Sequence, residues 1–435
     1  MPNSLLSSTN LIIILVILAC TGAALGYDPL NGDFTRANPL DVRIAAYNHN
    51  RSFIEDPSED AAFNRILTAL DPDIISFEEF TSGVSQADVA NRMNAIIPIG
   101  GSGWQIHFGL LGGIRTVIAS RFPLTMKRTD TIPASSTRGI TLALADLPDA
   151  DYPVDVYLLA VHLKCCGNPG GSEDASRQDS ADAMANWMGD ARGVARPSGD
   201  NIALPADTPM IALGDFNLVG GPQPENTILT GNIQDTGTYG PAVKGDWDVS
   251  DLTNLMPADP FTGATFTWQG SQSFPPSALD RFFYTDSAVT VANSFVLNTD
   301  TMTPAALSAA GLQAGDTLPG NTSDHLPIVM DLSLVADPCA MDTDNDGTPD
   351  CLDNCPNDPN KVEPGTCGCG VPDTAPDGDM NLDGVVDGLD IQRFEEALVS
   401  GAPTQAEICH GDFDGLNGVD TGDVPAMVNA LLNAP

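Results

Sequence analysis

Between residues 40 and 335, short apolar runs take turns with stretches in which apolar residues recur at helical spacing, a pattern satisfied by sheets covered with helices. Val42, Ile44 and Ala46 alternate along a strand. Ser58 then offers an N-cap, with Glu59 and Asp60 in the first turn, before Phe63, Ile66, Leu67 and Leu70 repeat as a helix. A buried strand is expected at 74–77. Ser85 with Asp88 reads as a capping box opening a second helix through Val89, Met93 and Ile96, stopped by Pro98. Further strands are expected at 115–120, 139–147, 154–163, 210–213 and 328–332, and a further helix around 175–188. The expectation is one large α/β domain over 40–335.

Charge limits what that domain can bind. Lys and Arg total 18 against 58 Asp and Glu, a formal net charge of −40, which excludes a broad basic surface for a nucleic-acid backbone. Any phosphate must be met locally. Residues 336–435 hold 21 acidic and 2 basic side chains, so this tail is built differently from what precedes it.

The unbroken apolar run from Leu11 to Ala19, followed by small residues to Gly26, has the layout of a secretory signal peptide over 1–26 and is too short to span a bilayer. Secretion is the expected localisation. Met1 to Asn10 departs from that layout in carrying no Lys or Arg, and the alternative is a lipoprotein anchored at Cys20, because Ile17-Leu18-Ala19-Cys20 resembles a lipoprotein cleavage box. Cysteine usage agrees with export. Apart from Cys20 eight remain, six of them in the tail: Cys339, Cys351, Cys355, Cys367, Cys369 and Cys409. If these pair among themselves, Cys165 and Cys166 are left as a strained adjacent disulfide or as two free thiols.

Polar residues cluster where the expected strands end, the rim on which α/β proteins place chemistry. Tyr47-Asn48-His49-Asn50, Glu78-Glu79, His162 and Gly214-Asp215-Phe216-Asn217 all hold such positions. Singly, each has a plainer explanation: a satisfied core histidine at His162, a solvated charge at Glu79, turn formers at Asp215 and Asn217, a cap or loop at Ser323-Asp324-His325. Jointly, Asn48, Glu78-Glu79, His162-Leu163, Gly214-Asp215-Phe216-Asn217, Leu279-Asp280 and Ser323-Asp324-His325-Leu326-Pro327 resemble the endonuclease/exonuclease/phosphatase family, whose fold is that of deoxyribonuclease I. The resemblance covers residues 40–335 and implies a two-sheet β-sandwich flanked by helices. Two departures stand out: Glu78 where the family usually has Gln, and Asp280-Arg281-Phe282 in place of the commoner Asp-Tyr or Asp-His step.

Phosphoester hydrolysis needs a divalent cation, a proton acceptor for water and donors for the developing charge. The resemblance implies Asn48 and Glu79 as hard oxygen ligands for Mg²⁺, with Mn²⁺ as an alternative, and Asp324 as a third ligand or one acting through water. His325 is expected as general base, oriented by Asp280. Asp215 and Asn217 would position the water and bind a phosphate oxygen, and His162 would donate to the phosphoryl group or leaving oxygen, the two histidines being exchangeable in role. Asn50 is weighed as a further metal-shell residue against a turn, and Asn168 as a phosphate contact against a flexible loop, the loop favoured. Trp268 is read as core in preference to a stacking platform, and His49, His107 and His410 receive no functional role.

In the tail, Asp342, Asp344, Asp346, Gly347, Asp350 and Asp353 fall at positions 1, 3, 5, 6, 9 and 12 of a calcium loop. The stretch 338–362 resembles a thrombospondin type 3 repeat. Asp379, Asn381, Asp383, Gly384, Asp387 and Asp390 repeat the spacing before a helix carrying Ile391, Phe394 and Leu398. Asp412, Asp414, Asp420 and Asp423 repeat it again before Val424, Met427, Val428 and Leu431. Region 375–435 thereby resembles a dockerin, which implies structural Ca²⁺ and a cohesin-type protein partner. Leu416 and Asn417 stand where the third loop should have an oxygen ligand and Gly, so this site should be the weakest. A disordered acidic tail is the plainer alternative.

Together these expectations describe a secreted, Mg²⁺-dependent phosphoesterase with a Ca²⁺-binding docking tail. A nuclease acting on DNA or RNA leads, a sphingomyelinase-type phospholipase C or phosphomonoesterase follows, and an inactive scaffold is the alternative of another class.

Overall fold

The computed structural model describes residues 27–49, 60–80, 83–109, 114–130, 138–197, 202–318, 322–334, 343–344, 346–348, 353–365, 367–373, 376–416 and 418–434. The expected leader with Cys20, and Asn50, Ser58, Glu59, Cys339, Asp342, Asp350, Cys351 and Asn417, lie outside the described residues. The chain divides into two compact units after residue 335.

The strands of the first unit are β1 (Val42–Asn48), β2 (Ile74–Phe80), β3 (Gln105–Phe108), β4 (Arg115–Ser120), β5 (Leu124–Asp130), β6 (Ile140–Ala145), β7 (Val156–His162), β8 (Met210–Asp215), β9 (Thr253–Leu255), β10 (Asp280–Tyr284), β11 (Thr290–Val296) and β12 (Ile328–Ser333). They make two six-stranded sheets, ordered β11-β12-β1-β2-β4-β3 and β5-β6-β7-β8-β10-β9. Both are mixed: β1 runs parallel to β2 and β7 to β8, and β1–β12 and β8–β10 are antiparallel.

The sheets pack face to face. Val42, Ile44, Ala46 and Ile74 of the first meet Ala143, Leu158, Ala160, Ile211, Leu213 and Phe282 of the second in one buried layer. The intervening residues point outward and are covered in turn. Ala45, Tyr47, Ile75 and Phe77 lie under helices α1 (Asp60–Leu70) and α2 (Gln86–Ile96). Tyr157, Leu159, Val161 and Ala212 lie under α3 (Ser172–Ala191). A central strand buried on both faces must be apolar on both, which is why β7 and β8 read as nearly continuous apolar runs. The expected capping box is present: Asp88 N–H donates to Ser85 Oγ at 3.2 Å and Ser85 N–H to Asp88 Oδ2 at 2.9 Å. Shorter helices α4 (Gln223–Thr230), α5 (Thr236–Tyr239) and α6 (Pro304–Ala310) complete the shell.

One buried ion pair ties the first sheet together. Arg43 of β1 donates from Nε and Nη2 to Asp331 of β12 at 2.7 and 2.8 Å, and from Nη1 to the carbonyls of Phe34 and Leu70. Both side chains are out of solvent, so the guanidinium is almost fully spent on fixed acceptors.

The second unit holds α7 (Gly388–Ser400), α8 (Gln405–Gly411) and α9 (Val424–Asn433) around a small core of Met380, Phe394, Ala397, Val419 and Met427. Disulfides join Cys355 to Cys369 and Cys367 to Cys409. Cys165 and Cys166 of the first unit are free thiols, which settles one alternative left open by the sequence. Among the described residues no helix is long and apolar enough to cross a membrane.

Candidate active site

Strand register assembles the site. In the second sheet His162 of β7 pairs with Asp215 of β8, and Asp215 pairs with Asp280 of β10, so three functional side chains form one row across three adjacent strand ends. In the first sheet Asn48 of β1 pairs with Glu78 of β2. A bulge between Phe77 and Phe80 then breaks the register of β2 against β4, and Glu79 takes the left-handed conformation at φ +71°. Such a conformation is uncommon for a non-glycine residue, and it leaves Glu79 partly solvent-accessible beside fully buried Glu78. Asn217, at φ +48°, is held the same way just past β8.

Gly214 has a steric requirement of its own. Its φ is +121°, and a Cβ there would sit 2.3 Å from the Val161 carbonyl oxygen and 2.7 Å from Glu78 Oε1. Any side chain would push β7 and Glu78 away from Asp215.

The predicted groups converge around a cleft of about 560 Å³, lined among others by Glu79, His162, Asp215, Asn217 and His325. Asn48 Nδ2 donates to Asp215 Oδ2 at 3.2 Å and lies 3.5 Å from Glu79 Oε1. His162 Nε2 is 3.3 Å from Asp215 Oδ2 and 4.0 Å from Glu79 Oε1. On the other side His325 Nδ1 donates to Asp280 Oδ2 at 2.8 Å, while its Nε2 lies 3.9 Å from Asp215 Oδ2. Asn217 N–H donates to Asp215 Oδ1 at 3.1 Å and its Nδ2 to the Leu163 carbonyl at 3.3 Å.

Supporting contacts fix these groups. Thr267 Oγ1 accepts from the backbone N–H of Asp280, and Ser323 Oγ donates to the Asn48 carbonyl while accepting from His325 N–H. Ser323 was visible beside the Asp-His pair, but its role as a brace depends on a contact 275 residues away in sequence. Asp324 stands apart from the others. Its Oδ2 accepts from Trp268 Nε1 at 2.9 Å, so the expected third metal ligand is engaged by an indole. Trp268 itself is half-buried and lines the cleft, not the core, with exposed Phe274 beside it. Arg138 also lines the cleft, anchored by Nη1 to the Leu163 carbonyl, and no motif announced it. Asn168 is exposed on the rim. His49, by contrast, is buried among Phe63, Phe77 and Phe80 and bonds the Glu78 carbonyl.

Electrostatics separate the two histidines. Burial opposes a charge on His325, but adjacent Asp280, then Asp215 and Asp324, outweigh it and raise its pKa to about 10. His162 is pushed well below its ordinary value by burial, then by Arg138 and His325, so its ring is neutral. Burial raises Asp215 to about 7, reinforced by Asp280 and opposed by His325 and Asn48. Glu78 is driven well above the carboxylate range, first by burial and further by Asp280 and Asp215, although Ser76 Oγ donates to its Oε1. Burial thus favours the uncharged form of Glu78, the form nearest to the Gln that the family usually has there.

The donor set fits a hard divalent cation. The carboxylates of Glu79 and Asp215 converge on one amide, Asn48, and Arg138 is the sole Arg or Lys among the described residues lining the cleft.

The profile of the Endonuclease/Exonuclease/phosphatase family matches residues 45–325, and the chain belongs to that family. It is accordingly a metal-dependent hydrolase of phosphate esters with the deoxyribonuclease I-like sandwich. No curated protein matches the chain significantly. Solved structures similar to it include D. rerio TDP2 complexed with single-strand DNA product, at 15% identity and TM-score 0.42, covering 67% of this chain and 99% of that one. An endonuclease/exonuclease/phosphatase from Beutenbergia cavernae is similar at 18% identity and TM-score 0.40, covering 68% and 72%. The human Nocturnin catalytic domain is similar at 14% identity and TM-score 0.42, covering 68% and 94%.

In the second unit the acidic loops before α7 and α9 share one bonding scheme. Asp390 accepts from the N–H groups of Asn381 and Asp387, and Asp423, 33 residues on, accepts from those of Asp414 and Asp420. Asp379 accepts from Asp383 and Gly384 as Asp412 does from Gly415 and Leu416. Carboxylate oxygens of Asp412, Asp414 and Asp423 lie within 4.8 Å of one another, as do those of Asp344, Asp346 and Asp353.

Proposed function

We propose that the chain is a secreted nuclease that hydrolyses nucleic-acid phosphodiesters, using Mg²⁺ held by Asn48 and Glu79. The observation that carries this reading is the meeting of Asn48, Glu79, His162, Asp215 and the Asp280–His325 pair at strand ends of both sheets around one cleft. Bound there, the cation supplies Lewis-acid stabilisation of the phosphoryl oxygens. The remaining roles follow from protonation. Asp215, poised near 7, takes the proton of the attacking water, with Asn217 holding it in place. His325, kept as an imidazolium by Asp280, donates to a phosphate oxygen, so the base expected at His325 moves to Asp215. His162, a neutral ring with a single N–H, orients Asp215 from Nε2, so the phosphoryl donor expected at His162 is supplied by His325.

Substrate choice rests on the walls of the cleft. A single arginine suits one phosphate at a time, whereas an inositol polyphosphate would meet a surface of carboxylates. Trp268 and Phe274 offer π-faces to an unpaired base. The same exposed Phe274, 66% accessible and followed by Pro275, supports phospholipid phosphodiesters as the second reading. Incubating the protein with single-stranded DNA, plasmid, RNA, sphingomyelin vesicles and inositol phosphates, with Mg²⁺ or chelator, tests the choice. Release from sphingomyelin alone would overturn the nuclease reading.

For the tail we propose structural Ca²⁺ in the loops beginning at Asp342, Asp379 and Asp412, supported by the shared bonding scheme and the carboxylate clusters. The loop-helix pair would then dock on a cohesin-type partner.

A further inference from the structure

Two adjacent thiols stand on the rim of the catalytic cleft, and the hydrolysis mechanism does not use them. Cys165 and Cys166 follow His162 by three and four residues, line the same cleft, and are half-buried and exposed respectively. Their loop is fixed from below. Arg177 of α3, with no solvent exposure, donates from Nη1 to the carbonyls of Lys164 at 2.7 Å and Cys166 at 2.9 Å. Its Nη2 pairs with Asp174, whose other oxygen accepts from Gly170 and Gly221 N–H. A buried guanidinium and a carboxylate thus hold both ends of the thiol loop and the backbone of Gly221.

Adjacent cysteines are poor partners for each other. Consecutive α-carbons across a trans peptide lie about 3.8 Å apart, short of the roughly 4.4–6.8 Å that an unstrained disulfide spans. The Cys166 thiol is also pushed above its ordinary range, first by its hydrogen bond with Cys165 and then by burial. With a disulfide between neighbours disfavoured, the pair stands as two free sulfurs on one opening. Such a pair favours a soft centre that takes two sulfur ligands, and it competes poorly for hard Mg²⁺.

We propose that Cys165 and Cys166 form a bidentate thiol site at the mouth of the cleft that captures a soft, thiophilic centre such as Zn²⁺ or trivalent arsenic, and that capture shuts out the phosphoester. This rests on the cleft being the phosphoesterase site. With a monosubstituted arsenic(III) oxide, two As–S bonds form and the arsenic-bound oxygen leaves as water with both thiol protons. No electrons change hands. The captured centre and its substituent stand over the opening that His162, Asp215 and His325 share.

The probe is phenylarsine oxide, because Zn²⁺ would also enter the Mg²⁺ site and the carboxylate loops. The full chain is treated in Mg²⁺ buffer, weighed intact, and assayed on bis(p-nitrophenyl) phosphate. One arsenic per chain is expected, with at least a tenfold loss of turnover that 2,3-dimercaptopropanol reverses and an equal amount of a monothiol does not. Cys165→Ser and Cys166→Ser should each keep untreated activity and lose the reversible adduct. Absence of an adduct on the untreated-fold protein overturns the capture, and an adduct with turnover unchanged overturns the blocking. An untreated enzyme that turns over no phosphoester defeats the functional reading alone, and the mass then decides capture.

Discussion

His325 and His162 sit within reach of the same aspartate yet hold opposite charge states, because only His325 has a carboxylate at its far nitrogen. That asymmetry has a sign that kinetics can read. Asp215 must be ionised to accept a proton, so kcat/KM should rise as pH climbs through about 7, and it should fall again near 10 as His325 loses its charge. Asp280→Asn removes the largest influence raising His325. Its ring then titrates closer to its ordinary value, and the alkaline limb should move to lower pH by a unit or more in a kcat/KM profile. An unmoved alkaline limb would show that His325 does not report it. Asp215→Asn and His325→Ala should each cost about 10² or more in turnover while circular dichroism stays unchanged.

Single residues also show where sequence reading stopped. Asn48, Glu79, His162, Asp215, Asn217, Asp280 and His325 were legible because motif and spacing carry them, and the fold brings all of them together. Arg138 has no motif, and Trp268 changes from core to cleft because its indole is drawn outward to Asp324.

Among elements, strands β1, β2, β4, β6, β7, β8 and β12 could be read from their apolar runs, whereas β3, β5, β9, β10 and β11 could not. The reasons differ. Edge strand β9 has three residues, β5 carries Lys127 and Arg128 with a register shift, and β10 follows a Pro275-Pro276 step that suggests a loop. Only pairing with β8, 65 positions away for Asp280 and Asp215, reveals β10 as a central strand. Two substitutions test how tightly these elements are locked. Gly214→Ala forces a Cβ against β7 in a backbone region closed to L side chains and should lower stability by about 2 kcal/mol or more. Arg43→Met leaves the Asp331 charge buried without its partner and should cost roughly 3–5 kcal/mol. Urea titration followed by far-ultraviolet circular dichroism measures both, and a change under 0.5 kcal/mol in either would contradict the packing described.

Across the whole molecule the chain forms two compact units, and every residue proposed for catalysis belongs to the first. Deleting residues 338–435 should therefore leave specific activity within about twofold. A folded truncation that has lost turnover would implicate the tail in the site. The tail's 21 acidic side chains repel until cations neutralise them, so Ca²⁺ should slow proteolysis of this region in the full chain and chelator should speed it. Within the tail, Leu416→Asp adds an oxygen ligand to the third loop and should lower the Ca²⁺ concentration needed for protection.

The central claim is that one metal-dependent site, with Asp215 as proton acceptor, hydrolyses phosphodiesters. It is tested most directly by release of nucleotides from single-stranded DNA by the full chain, comparing Mg²⁺ with chelator and wild type with Asp215→Asn. The expected result is cleavage with Mg²⁺ that disappears in chelator and falls by about 10² or more in the variant at pH 8. Cleavage that persists in chelator, or an Asp215→Asn protein that cleaves at the wild-type rate, would contradict it.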